Sequence, residues 1–236
     1  MNLILLHDDD FVAADRVRLG GRRLEHVRSV HRAAVGDRLI VGRVDGACGR
    51  GEVTAIDEAS LEMRVTLDAP PPPPLPVTLV LALPRPPSLR KVLQQATTMG
   101  VKRFALIGAA RVERSFWGSS ALRPAELEEE LCLGLEQGRD TVRPEVELWP
   151  KLHAFLAERW PTLRGEGEAL LAHPGEGVNC PCGQVGPRTV VVGPEGGFVP
   201  HEVERWQAEG CRLVSLGARP LRVETAVVAL LARLVG

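Results

Sequence analysis

Up to residue 69 the apolar positions come in short, alternating runs. "DRLIVGRV", "GRGEVTAI" and "SLEMRVTL" are separated by glycine and aspartate turns, the pattern of half-buried strands. The opening "MNLILLHDDDFV" predicts a first strand. It is apolar but short, lacks a basic stretch ahead of it, and runs into three aspartates, which argues against a signal peptide. Together these runs predict a small β-barrel of about seventy residues, a size at which a lone domain is only marginally stable. The pattern breaks at "APPPPPLP" (69–76), where five consecutive prolines favour an extended, semi-rigid spacer. We therefore expect a first domain over 1–72 and a second over 73–236.

In the second part, apolar runs alternate with helical periodicity. "VTLVLAL" (77–83) predicts a buried strand, "SLRKVLQQATTMG" a helix ending at Gly100, and "KRFALIGA" (102–109) a strand. "PAELEEELCLGLEQG" predicts a helix opened by Pro124, followed by a strand at "VELW" and a helix at "KLHAFLAERW". "EALLA" (168–172) and "TVVV" (189–192) predict strands. "PHEVERWQAEG" predicts a helix with Pro200 in its first turn, "CRLVSL" a strand, and "LRVETAVVALLARLV" a closing helix. This alternation implies an α/β domain with a parallel sheet.

Composition changes little. The chain has 236 residues, 44% hydrophobic and 25% charged, as expected of a soluble globular protein. No apolar run approaches the roughly 20 residues needed to span a bilayer, so no membrane association and a cytoplasmic location are expected. The five cysteines are odd in number and scattered, and "CPC" (180–182) has no second pair to complete a zinc site.

Charge is more informative. The net charge of −1 conceals a basic window from Arg16 to Arg50, where nine arginines face only Glu25, Asp37 and Asp45. From Glu126 to Glu147 the balance reverses. A basic patch on a neutral chain suits phosphates, although a solvated arginine-rich surface explains the same composition.

Two loops carry candidate chemistry. "GPEGG" (193–197) leaves an apolar strand, and ligands of open α/β sheets sit beyond the carboxyl ends of strands. Gly196 and Gly197 permit close backbone approach, Pro194 stiffens the turn, and Glu195 is held at a fixed place. The loop matches neither G-x-G-x-x-G nor a phosphate-binding loop ending in Lys-Ser/Thr. A plain strand-to-helix turn would also account for it. The second loop, "LGARPLRVETA" (216–226), places Pro220 and Glu224 in the predicted first turn of the last helix. Arg222 stands at a helix N-terminus, where a cation is disfavoured. It is explained by an anion, whether a ligand, a developing oxyanion, or the carboxylate of Glu224 or Glu195.

"VVGPEGGF", "SLGARPLRVETA", "EQGRDTVRPEV", "TTMGVKRFALI…RVERS" and "HVRSVHRAAVGDRL" occur together with this spacing, from about His26 to the C-terminus. In these motifs the chain resembles the RsmE-like 16S ribosomal RNA uridine-N3 methyltransferases of the SPOUT class. The resemblance implies a PUA-like β-barrel followed by a trefoil-knotted SPOUT domain with a parallel sheet. It also implies S-adenosylmethionine as methyl donor, no metal, a homodimer, and as substrate a uridine of small-subunit RNA, position 1498 in the usual RNA numbering.

Carried onto this chain, it places Gly193, Pro194, Glu195, Gly196 and Gly197 around the cofactor. Leu216, Gly217, Leu221 and Arg222 form the opposite wall, and Leu171, Ala172 and His173 line the same pocket. Arg222, Glu195 and Glu224 become the catalytic candidates. Arg16, Arg22, Arg23, Arg28 and Arg32, with His26, His31, Arg111 and Arg114, become RNA contacts. The chain departs from the family where Thr98-Met99-Gly100 replaces Glu-Leu-Gly, Pro220 replaces Ile and Arg85 replaces Lys. A SPOUT methyltransferase acting on another RNA, a non-catalytic RNA-binding protein and an α/β nucleotide-binding enzyme of other chemistry remain open on the sequence.

Overall fold

A computed structural model describes residues 2–165, 167–175, 177–183 and 186–235, with only the backbone of His31. The chain forms two compact units. The first comprises Met1–Pro73 and Cys132–Arg143, the second Pro74–Leu131 and Pro144–Gly236.

In the first unit, strands β1 (Ile4–Leu6), β2 (Phe11–Ala13), β3 (Arg16–Leu19), β4 (Arg38–Arg43), β5 (Cys48–Ile56) and β6 (Leu61–Ala69) form one curled sheet. Its order is β1-β4-β5-β6-β3-β2, with β1 parallel to β4 and the other pairs antiparallel. β1 and β2 are its edges, so the predicted barrel is an open half-barrel. The period-2 alternation sends Val17, Leu19, Leu39, Val41, Val53, Leu61, Met63 and Val65 inward. Each such buried Val or Leu contributes about 1.5–3 kcal/mol. Helix α1 (Gly21–His26) runs into a wider turn (Val27–His31) and closes this core with Leu24 and Val27. Two buried residues one turn apart are too short a signal to have predicted it.

The second unit is a sheet of seven parallel strands: β7 (Val77–Ala82), β8 (Arg103–Ile107), β9 (Glu145–Trp149), β10 (Glu168–Ala172), β11 (Val178–Asn179), β12 (Arg188–Val192) and β13 (Arg212–Ser215). The order is β11-β13-β10-β12-β7-β8-β9. Every residue of β7 and β12 is buried, as expected of central strands covered on both faces. On one face pack α2 (Pro86–Thr98) and α7 (Val223–Val235), with Leu131 from the first part of α3 (Pro124–Gly138). On the other pack α4 (Leu152–Ala154), α5 (Trp160–Arg164) and α6 (Pro200–Ala208).

The face covered by α4, α5 and α6 is rich in aromatic residues. Trp206 is fully buried, and its ring centroid lies 5.0 Å from Trp160, 6.1 Å from Phe198 and 6.2 Å from Phe155. Phe198 belongs to the glycine loop after β12, so this cluster ties that loop to the core.

A second sequence expectation changes. α7 starts at Val223, so Pro220 lies in the loop ahead of the helix rather than in its first turn. Among the described residues no helix is long and apolar enough to cross a membrane. None of them forms a group of three His, Cys, Asp or Glu side chains placed to hold a metal ion.

Candidate ligand cleft

The carboxyl ends of β10, β12 and β13 lie side by side, and the loops leaving them enclose a cleft. It holds about 660 Å³ of empty space, its open mouth included. After β12 the chain turns sharply: the Gly197 N–H donates to the Pro194 carbonyl at 2.8 Å. Gly197 takes φ +71°, a left-handed conformation that favours glycine. Gly196 makes room for a neighbouring side chain. A Cβ there would lie 3.1 Å from Cδ of Arg111, whose stem covers the loop. After β13, Ser215 Oγ accepts the Gly217 N–H at 3.1 Å and fixes the start of the second loop. The loop after β10 is fastened by the His173 N–H, which donates to the Val214 carbonyl at 3.0 Å.

The cleft is apolar at its base and polar at its rim. Val192, Val214, Phe198, Val223, Ala226 and Ala172 form the base, and His173, Glu195 and Arg219 stand at the edge. Such a distribution suits a ligand with a flat apolar portion and polar ends.

Most of the expected cofactor residues come together here. Ala172, His173, Gly193, Pro194, Glu195, Gly197, Leu216, Gly217 and Leu221 all line the cleft. Leu171 does not: it is fully buried in the core on the opposite face of the sheet. Neighbouring residues within a strand point to opposite faces, and Leu171 packs with the cluster on one face while Ala172 packs against the other. Gly196 and Arg222 are also outside the lining set, although both belong to loops that form it. Seven lining residues were missed: Pro174, Val192, Phe198, Val214, Arg219, Val223 and Ala226. Arg219, Val223 and Ala226 sit inside the quoted "LGARPLRVETA", whereas the other apolar residues carry no chemical signal.

The three catalytic candidates have distinct environments. Glu195 accepts the Arg85 N–H at 3.1 Å, with Arg85 Nε 3.5 Å away, so it is anchored at the N-terminus of α2. Glu224 faces α2 rather than the cleft. Lys91 Nζ lies 3.5 Å from its carboxylate. A bond from its own backbone N–H, with Ser88 and Lys91 adding to it, holds its pKa below the usual range despite burial. Arg222 is exposed, and its side chain has neither hydrogen-bond nor ion-pair partner among the described residues. Its carbonyl accepts the Ala226 N–H at 2.8 Å, so its backbone caps α7. The intramolecular carboxylates that could have explained this arginine, Glu195 and Glu224, are held by Arg85 and Lys91 instead.

Glu224 therefore acts as a fastener between α2 and α7. We expect Glu224→Gln to keep catalytic turnover within about threefold of wild type, whereas loss of a general base costs about 10²–10⁴-fold. A single-turnover assay decides between these outcomes.

The expected RNA contacts also separate. Arg23 is bidentate to Asp10 at 2.5 and 2.6 Å and donates to the Leu5 carbonyl, so it locks the half-barrel. Arg22 is bidentate to Glu136 at 3.2 Å. Arg16, Arg28 and Arg32 are exposed. Arg16 stands directly across from Arg64 on the outward face, where Arg38 and Arg50 also lie. Arg111 donates to the Gly196 carbonyl, and exposed Arg114 opens a short turn over Arg114–Gly118.

Comparison with known proteins places this architecture. The RNA methyltransferase domain family matches residues 71–235. The chain belongs to that family. Over 235 residues this RNA methyltransferase is 25% identical to the Ribosomal RNA small subunit methyltransferase E of Treponema pallidum, covering 97% of this chain and 88% of the relative. A crystal structure of a Ribosomal RNA small subunit methyltransferase E from Neisseria gonorrhoeae, bound to S-adenosyl methionine, superimposes with a TM-score of 0.78 at 21% identity. That match covers 98% of this chain and 95% of the other. A putative methyltransferase from Legionella pneumophila, solved with the same cofactor, gives 0.74 at 20% identity, covering 97% and 94%. The fold is a mixed half-barrel joined to a SPOUT-like parallel-sheet domain.

Proposed function

We propose that this RNA methyltransferase uses S-adenosylmethionine to methylate N3 of one uridine in small-subunit ribosomal RNA, at position 1498. The observation that carries the proposal is the cleft at the ends of β10, β12 and β13, with Arg222, whose side chain has no partner among the described residues, on the loop that forms one wall. The domain organisation expected from the sequence, the cytoplasmic location of ribosomal RNA and the homodimer implied by the resemblance belong to the same reading.

The residues fit the cofactor. Val214, Leu216, Leu221 and Ala172 offer apolar walls for an adenine ring, and the Glu195 and Gly196 N–H groups have no acceptor among the described residues. When bound, S-adenosylmethionine supplies an electrophilic methyl group.

The protein has three tasks. It must hold an unpaired uracil, because N3 lies on the pairing edge and is inaccessible in a duplex. It must align N3 at about 3–3.5 Å from the carbon it attacks. It must also stabilise the negative charge that spreads onto the uracil carbonyl oxygens as the N3 proton leaves. Arg222, an exposed cation on the cleft loop, performs the last task. Glu195, pinned by Arg85, orients the base, and the proton passes to water.

The exposed arginines of the half-barrel hold RNA phosphates. Reversing the charges of Arg28 and Arg32 together should weaken RNA binding and lower the salt slope by about 1.4–1.8. An unchanged slope removes these two residues from the interface. Calorimetric titration with S-adenosylmethionine tests the cofactor part of the proposal: the account predicts saturable binding, and no heat at millimolar ligand would favour a binding-only RNA protein.

A further inference from the structure

Arg111 lies on the short segment after β8, and the sequence marked it for RNA. Its surroundings point elsewhere. One guanidinium nitrogen donates to the Gly196 carbonyl. Its aliphatic stem lies on the same residue, with Cδ, Cβ and Cγ at 3.1, 3.5 and 3.8 Å from where a Gly196 Cβ would stand. The neighbouring peptide is tied to the same region. The Glu202 carboxylate accepts the Ala110 N–H at 2.8 Å and the Val199 N–H at 3.1 Å. Glu202 is buried. The segment over residues 110–111 therefore grips the glycine loop at both its tip and its exit.

We infer that Arg111 is a positioning residue for the glycine loop, and that Gly196 is glycine in order to receive it. The inference rests on the reading of the cleft as a cofactor site. The two glycines then have separate duties. Gly197 supplies the left-handed turn, and Gly196 leaves the space occupied by the Arg111 stem. Anchoring the Gly196 carbonyl fixes the peptide between Glu195 and the turn. Because the loop forms one wall of the cleft, its order before binding reduces what binding must immobilise.

Two measurements test this on the full chain. The first needs no ligand: exchange of the Gly197 amide, whose hydrogen bond closes the turn, followed by NMR. Arg111→Ala is expected to speed that exchange about tenfold, and Arg111→Lys, which keeps a stem and a cationic donor, to restore most of the protection. Unchanged exchange in Arg111→Ala overturns the inference, whether or not the protein binds S-adenosylmethionine.

The second is a double-mutant cycle on cofactor affinity. Arg111→Ala and Gly196→Ala should each weaken S-adenosylmethionine binding about tenfold, while the double variant is little worse than either alone. RNA KM should stay within twofold. Additive losses, or a raised RNA KM with unchanged cofactor affinity, return Arg111 to the RNA interface. If the wild-type protein binds no S-adenosylmethionine, the cofactor reading falls and the exchange experiment alone decides the brace.

Discussion

Arg222→Ala is expected to lower the rate of methyl transfer by about 10²–10³-fold, while S-adenosylmethionine affinity changes by less than about threefold. The expectation follows from how this arginine is held. Its backbone is committed to α7, since its carbonyl accepts the first helical bond from Ala226. Its side chain is not committed to anything within the described chain. A cation at a helix N-terminus is disfavoured by the aligned peptide dipoles, typically by some tenths of a kcal/mol. Both nearby carboxylates have other partners, Glu195 with Arg85 and Glu224 with Lys91. Arg222 is also outside the residues that line the cleft, so it is not placed as a wall for a bound cofactor. Charge that forms only as N3 loses its proton is stabilised in the transition state rather than the ground state, which affects kcat more than binding. Equal losses in kcat and in cofactor affinity would make Arg222 a cofactor ligand only. Arg222→Lys should recover part of the rate, because it keeps the charge without the planar fork.

Trp206→Ala is expected to destabilise the second unit by about 3–5 kcal/mol, the range for deleting a large aromatic side chain from a packed core. For a chain of this size that corresponds to a fall in melting temperature of roughly 10 °C. Trp206 touches Phe155, Trp160 and Phe198, so the cavity is lined by rings that cannot collapse easily. Its indole N–H is buried with no acceptor among the described residues. Trp206→Phe removes that unsatisfied donor while keeping a ring, and it should lie within about 1.5 kcal/mol of wild type. The cleft should respond as well, because Phe198 both lines it and leans on Trp206. An alanine variant that melts within about 2 °C of wild type would show that the cluster contributes little.

The parallel sheet was legible because burial on both faces leaves uninterrupted apolar runs. "VTLVLAL" and "TVVV" became β7 and β12, the two central strands, and the helices between strands kept their period. The half-barrel was partly legible. β4, β5 and β6 alternate clearly, and β3 does so over four residues, whereas β2 and α1 are too short for any period to emerge. The threading of a knot leaves no trace in hydropathy, and only the resemblance implied it.

The cleft was legible at its glycines and much less so at its base. Phe198 and Val214 look like any other core residue until the strand ends are brought side by side. Charge was the least legible property. Nine arginines in one window looked like a single RNA patch, but Arg23 is a structural clamp on Asp10 and Arg22 is held by Glu136, a residue more than a hundred positions away. A composition window cannot reveal which charges are already neutralised by distant partners.

The central claim is the reaction and its site on the RNA. The most direct measurement is reverse transcription through the 3′ region of 16S RNA, in cells with and without this gene. A methyl group on N3 blocks pairing and halts the polymerase one nucleotide before the modified base. The account predicts a stop at uridine 1498 that disappears on deletion and returns when deletion-strain subunits are treated with the purified protein and S-adenosylmethionine. A stop that persists in the deleted cells, or one that purified protein cannot restore, would contradict it.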